Sequence, residues 1–234
     1  MRRMEILLAA GLWLDGSTVW DDVVSALEPL GHRAVPIPLP GQGDGNTAAT
    51  LDDQLAAVLS AVDDAENPVL VGHSAACTLA WLAADARPER LNRVVLIGGF
   101  PSSAGQPYAS FFEIRDGAMP FPGWGPFEGP DVVDLDEETR QRMAAAAIPV
   151  PEGVATGVVR YGDDRRFDVP VTLVCPEFSP DDARKWIDGG EVAELAAAEH
   201  LEYVDIDSGH WPMVTRPREL ARLLDEVSRS AARR

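Results

Sequence analysis

The sequence predicts a doubly wound α/β domain: a mainly parallel sheet of about six strands, helices on both faces and a small inserted cap. Three observations predict it. Six short runs rich in Val, Ile and Leu, at 6–9, 34–37, 69–71, 94–97, 171–175 and 203–206, have the length and composition of strands buried on both faces. Helical patterns fall between or after them at 18–30, 51–64, 75–86, 183–187 with 192–198, and 218–228. About seventy residues separate the fourth run from the fifth, too many for a structureless loop in a compact domain.

The elements follow in order. Met1-Arg2-Arg3 and the apolar stretch 6–14 offer the charged and apolar parts of a secretory signal, but Glu5 interrupts them and no convincing cleavage site follows. A buried first strand accounts for the run equally well, and the expected location is cytoplasmic. Ser17 and Thr50 stand where the first two helices need N-caps. The long gap, 100–169, is the expected cap, with 1–99 and 170–234 forming the core. It opens with six prolines (Pro101, Pro107, Pro120, Pro122, Pro126, Pro130) and continues into an acidic helical stretch at 131–147, a solvated face with Arg140 and Arg142 as local partners. Seven aromatics clustered within 28 residues of it, Phe100, Tyr108, Phe111, Phe112, Phe121, Trp124 and Phe127, can build a small core of their own, line an apolar pocket, or both.

Composition narrows the function. At 234 residues and 46% hydrophobic, the chain is one domain with a sizeable core. Its 38 acidic and 20 basic residues give a net charge of −18, which argues against a phosphate-binding surface and against nucleic acid as a partner. The one lysine, Lys185, follows Arg184 rather than a glycine-rich loop, so there is no phosphate cradle of the G-K-S/T type. Asp181 stands four residues before it, which excludes a Tyr-x-x-x-Lys pair. Cys77 and Cys175 lie in apolar runs without metal-ligand spacing and read as small buried hydrophobes. No apolar stretch reaches the roughly 20 residues that span a bilayer.

The chemistry concentrates in Gly72-His73-Ser74-Ala75-Ala76, which follows an apolar run directly and opens a helical pattern. That is where a strained strand-to-helix turn lifts a serine nucleophile out of a sheet, with Ala76 where the pattern expects a fifth-position glycine. A serine hydroxyl needs a base. Of four histidines, His32 and His200 fall before strands, at the wrong edge of the sheet, and His73 is adjacent to Ser74 with a diverging side chain. His210, in Asp207-Ser208-Gly209-His210-Trp211-Pro212 after the last strand, lies at the carboxyl edge where open α/β sheets bind ligands.

With these residues the chain resembles the α/β-hydrolase superfamily, specifically its small single-domain serine hydrolases, over nearly its whole length. Leu14-Asp15-Gly16-Ser17-Thr18-Val19-Trp20 resembles the family's first loop and helix, and Pro38-Leu39-Pro40-Gly41-Gln42-Gly43-Asp44 its second-strand loop. The run from Met4 to Ala9 matches the strand preceding the oxyanion loop, so the family's opening hairpin has no counterpart and a six-stranded core is implied. Where members often carry His-Gly, this chain has Ala10-Gly11 and then Leu12-Trp13. The resemblance implies an oxyanion hole from the backbone N–H groups of Leu12 and Ala75. The family's acid follows the next-to-last strand in a pattern like Gly-x-x-Asp, which here is Pro176-Glu177-Phe178-Ser179, with serine at the usual Asp position. Glu177, Asp181 and Asp182 are the local carboxylates; Glu177 is assigned on its reach, the aspartates or a serine or water being the alternatives.

The implied function is hydrolysis of a carboxylic ester or thioester of a small, largely apolar substrate through an acyl-enzyme. It needs no metal or organic cofactor, and Trp13, Phe100, Phe112, Trp124 and Trp211 are the candidate pocket residues. The alternatives are a cofactor-free lyase or cyclase using the same Ser74 and His210, and a non-catalytic small-molecule binder.

Overall fold

Apolar runs without polar alternation form strands only where both faces are covered, and that is their arrangement in the computed structural model, which describes residues 4–231. The strands in chain order are β1 (Glu5–Ala9), β2 (Arg33–Pro36), β3 (Val69–His73), β4 (Arg93–Ile97), two short strands of the inserted segment, β5 (Ala118–Met119) and β6 (Val150–Pro151), then β7 (Val171–Cys175) and β8 (Leu201–Asp205). Six of them make one sheet in the order β2-β1-β3-β4-β7-β8, every pairing parallel. Leu7, Leu70, Val94, Leu96 and Leu173 point to one face and Ile6, Leu8, Val71, Val95 and Val174 to the other, all buried. Met1–Arg3 of the signal-like start lie outside the described residues; residues 5–9 are the second strand of the sheet as ordered in space.

The helices are α1 (Asp21–Leu27), α2 (Leu51–Asp64), α3 (Ala76–Ala86), α4 (Glu137–Ala146), α5 (Glu152–Ala155), α6 (Pro180–Asp188), α7 (Ala193–Ala196), α8 (Pro212–Thr215) and α9 (Pro217–Ala231). α1 and α9 bury Val23, Leu27, Leu220 and Leu224 on one face; α2, α3 and α6 bury Val58, Val62, Leu79 and Ile187 on the other. The chain winds from β1 outward to β2 and then back across to β3, so strand order reverses at β1. Ala9 pairs with Gly72, and the loops leaving β1 and β3 emerge side by side.

Local expectations hold at the start of α2 and differ from the structure at those of α1 and α4. Thr50 caps α2 in a capping box with Asp53, as its position predicts. Ser17 does not cap α1: its N–H and hydroxyl both bond the Asp15 carboxylate, at 2.9 and 2.5 Å, in a tight turn that delays the helix to Asp21. The acidic stretch 131–147 is not one helix. A single turn, Pro130–Val132, precedes α4, because the Asp136 carboxylate accepts the Thr139 N–H at 2.8 Å and starts the helix there. Ser179, at the position where the resemblance expects an aspartate, caps α6 by accepting the Asp182 N–H at 3.1 Å.

The inserted segment packs into the main core. Tyr108, Met119, Val154 and Ala155 are buried in the same cluster as α2 and α3. Its returning end is pinned by Arg166, a side chain only 8% exposed, which pairs with Asp85 of α3 and Glu194 of α7. Glu194 also accepts the Trp81 indole N–H, and Asp85 the Gly162 and Asp163 N–H groups.

Candidate active site

Ser74 occupies the turn between β3 and α3 with φ 55, a left-handed backbone that a side chain normally avoids at a cost of about 1–3 kcal/mol. Two hydrogen bonds hold the turn. The Ser74 N–H continues the sheet ladder to the Ile97 carbonyl at 2.8 Å, and the Ser74 carbonyl accepts the Cys77 N–H at 3.0 Å. Gly72 gives the helix room, since a Cβ there would stand 2.3 Å from the Ala76 carbonyl oxygen, and one at Gly99 would stand 2.6 Å from that of Ser74. The fifth-position Ala76 is fully buried and accommodated, because the close approaches fall on Gly72 and Gly99 instead.

His210, on the loop after β8, reaches Ser74: its Nε2 is 2.9 Å from the Ser74 Oγ. Its Nδ1 is 2.7 Å from Glu177 Oε1, just past β7, and both side chains are 13% exposed. A carboxylate can only accept, so Nδ1 carries the proton and Nε2 is left to accept from the serine hydroxyl. The aspartates do not join this chain. Asp181 bonds Arg184, and Asp182 bonds Ser179 and Lys185, all in the exposed first turns of α6. Asp131, which the sequence offered only as part of an acidic face, sits beside the pair. Its carbonyl accepts the His210 N–H at 2.8 Å, and burial foremost raises its carboxyl pKa, with the His210 charge opposing and the Glu177 charge adding.

Of the other histidines, His32 bonds Asp225 at 2.7 Å, away from Ser74. His73 does more than diverge from Ser74: its Nε2–H donates to the His210 carbonyl at 2.8 Å, with the two rings 4.9 Å apart. Burial, and then the closeness of His210, push its pKa from 6.5 down to about 3. It therefore adds no second cation beside His210. The unfolded chain binds the proton that the folded one refuses between these two values, so stability falls as pH falls from 6.5 toward about 3. His73→Gln, whose amide can still donate to the His210 carbonyl without titrating, is expected to lose thermal midpoint less steeply on acidification than the parent protein. Parallel slopes in a pH series of thermal melts would contradict this.

The loop after β1 approaches the nucleophile closely: a Cβ on Gly11 would stand 2.9 Å from both Ser74 Cβ and His73 Nδ1. The His73 ring thus lies beside the loop in which the resemblance expects a histidine and the chain has Ala10. Among the described residues neither the Leu12 nor the Ala75 N–H is spent on a hydrogen bond. Trp13, at φ 61, turns its ring into an aromatic group with Phe112, Phe121 and Phe127 at centroid distances of 5.6–6.0 Å. Trp13, Trp124 and Trp211 line one small cavity of about 20 Å³ with Leu12, Leu14, Phe121, Met143 and Ala147. Phe112 and Phe100 are not among them: Phe112 stays in the group around Trp13, and Phe100 stacks on Phe178 at 5.3 Å and meets Trp186. Phe121 and Phe127, named from the sequence among the cap's aromatics but not among the candidate pocket residues, belong to the group. Phe111 is 60% exposed and joins neither core nor pocket.

Cys77 and Cys175 are free and buried, and burial raises both thiols. No group of three or more His, Cys, Asp or Glu among the described residues could hold a metal ion, and no described helix is long and apolar enough to cross a membrane.

Comparison with known proteins bears on the family and the fold. The sequence model of the alpha/beta hydrolase family matches residues 6–223. Methylesterase 7 of Arabidopsis thaliana is 26% identical over 245 residues, covering 91% of this chain and 92% of the relative. Among solved structures, an extracellular alpha/beta-hydrolase from a Paenibacillus species superposes with a TM-score of 0.76 at 20% identity, over 95% of this chain and 98% of that one. Polyneuridine aldehyde esterase superposes with a TM-score of 0.71 at 16% identity, over 97% and 100%. At these identities the structural likeness speaks for the fold.

Proposed function

The chain belongs to the alpha/beta hydrolase family, and from that membership we propose that it hydrolyses a carboxylic ester or thioester of a small, largely apolar substrate through an acyl-enzyme on Ser74. The observation that carries the reading is the hydrogen-bonded chain from Ser74 through His210 to Glu177, at 2.9 and 2.7 Å. Ser74 Oγ attacks the acyl carbon as His210 Nε2 takes its proton, and Glu177 holds the imidazole in the required tautomer and stabilises the imidazolium. The tetrahedral oxyanion accepts from the Leu12 and Ala75 N–H groups. Collapse expels the alcohol or thiol, which leaves with the proton from His210. Water, deprotonated by the same nitrogen, then attacks the acyl-enzyme, releases the acid and restores the serine.

Residues 100–169 act as a cap over a core of 1–99 and 170–234, and the aromatic group around Trp13 forms the apolar wall against the acyl or alcohol part. The name of the Arabidopsis relative directs attention to methyl esters, which belong in the first substrate panel with aryl esters and acyl thioesters of graded length. A fluorophosphonate is expected to add one phosphonyl group to Ser74 by intact mass, and an activated ester to turn over. Absence of both would leave a non-catalytic binder, and labelling without ester turnover would point to lyase or cyclase chemistry.

A further inference from the structure

We infer that Gln42, in the loop after β2, is a positioning residue that aims the Leu12 N–H at the reacting carbonyl; this rests on the acyl-transfer reading above. A trans peptide holds its C=O and N–H in one plane and pointing in opposite directions, so a partner that grips one end aims the other. The Gly11 carbonyl and the Leu12 N–H belong to one such unit. Gln42 Nε2 donates to the Gly11 carbonyl at 3.0 Å and to the Ala10 carbonyl at 3.3 Å, which uses both amide protons. Beyond Leu12 the loop is held again, as the Trp13 carbonyl accepts the Ile148 N–H at 3.0 Å and the Trp13 indole donates to the Met119 carbonyl at 3.2 Å. The Leu12 N–H stays unspent between these anchors.

The second donor is built the same way. The Ala75 N–H shares a peptide with the Ser74 carbonyl, which the Cys77 N–H grips at 3.0 Å. In the elbow the start of α3 supplies the grip. Residues 10–13 have no helix or ladder to do so, and a side chain from a neighbouring loop takes its place. Donation into the Gly11 carbonyl also polarises that peptide and strengthens its N–H as a donor.

Packing alone does not account for an amide at this position. Gln42 Oε1 is buried without a hydrogen-bond partner, and Gly16 leaves room for it, since a Cβ there would stand 2.7 Å away. An apolar side chain of the same length would avoid the unpaired oxygen and would give up both donors.

Gln42→Met makes that replacement, and Gln42→Glu keeps the shape while setting a carboxylate against two carbonyls. With 4-nitrophenyl butyrate, kcat of Gln42→Met is expected to fall about ten- to hundredfold, somewhat less than when an oxyanion donor is removed outright, with KM nearly unchanged. The inhibition constant of a trifluoromethyl ketone, whose hemiketal oxygen occupies the oxyanion position, should rise by a matching factor, a correlation that general loosening of the fold does not produce. Gln42→Glu should be impaired at least as much, and it carries the test if the methionine variant does not fold. A folded Gln42→Met with unchanged kcat and unchanged ketone affinity would overturn the assignment, as would a change confined to KM. Ser74→Ala, measured alongside, separates the two levels. Turnover retained there would remove the acyl-transfer reading itself, whereas an inactive Ser74→Ala beside a normal Gln42→Met would remove only the role of Gln42.

Discussion

Replacing Ser74 by Ala, or His210 by Ala, is expected to lower kcat for an activated ester by about six orders of magnitude while leaving the fold in place. The two losses should be alike and should not add, because each variant removes the same event, transfer of the serine proton as the nucleophile attacks. Ser74 is a small side chain on a backbone already strained to φ 55, and alanine meets the same strain, so the thermal midpoint of Ser74→Ala should stay close to that of the parent. His210→Ala deletes an imidazole packed against His73 and Trp211, at ring distances of 4.9 and 4.8 Å, and its melting must be recorded beside its kinetics. Retention of more than about a hundredth of the parent rate by folded Ser74→Ala would assign the nucleophile elsewhere.

Glu177→Gln is expected to cost up to about 10⁴ in kcat. The amide keeps the shape of the side chain but can donate toward Nδ1, which favours the tautomer with its proton on Nε2, and such a ring cannot accept from Ser74. Asp181→Asn and Asp182→Asn should each cost less than about tenfold in rate, because both carboxylates lie in the exposed first turn of α6 and bond Arg184, Ser179 and Lys185 rather than His210. The measurement is kcat/KM for all three variants on one ester, with circular dichroism melts to exclude unfolding. If an aspartate variant is the most impaired, the acid is misassigned. If all three are near neutral, the site works as a pair of Ser74 and His210, and a reaction that only moves protons gains support.

How much of this was legible in the sequence depended on the range over which each feature is determined. Strand composition, the capping box at Thr50 and the strand-turn-helix setting of Ser74 are local, encoded within about one element of chain, and composition and spacing carry them. The choice of His210 over His32 and His200 needed only the rule that ligands meet a parallel sheet at its carboxyl edge. Sequence alone preferred Glu177 to two aspartates only on its reach, because the question is which carboxylate meets an imidazole 33 residues away, and that is a matter of side-chain length and helix start. In the tertiary structure Glu177 is the carboxylate that meets His210: Ser179 and the aspartates bond one another and their neighbours at the start of α6, while Glu177 stands before that helix, just past β7. The same holds for His73 beneath the His210 carbonyl, for Gln42 across from Gly11, and for Phe100 turned toward Trp186 and away from Trp13. Each is a contact between segments far apart in sequence that the sheet brings together, through the reversal of strand order at β1 and the close approaches that Gly11, Gly72 and Gly99 permit.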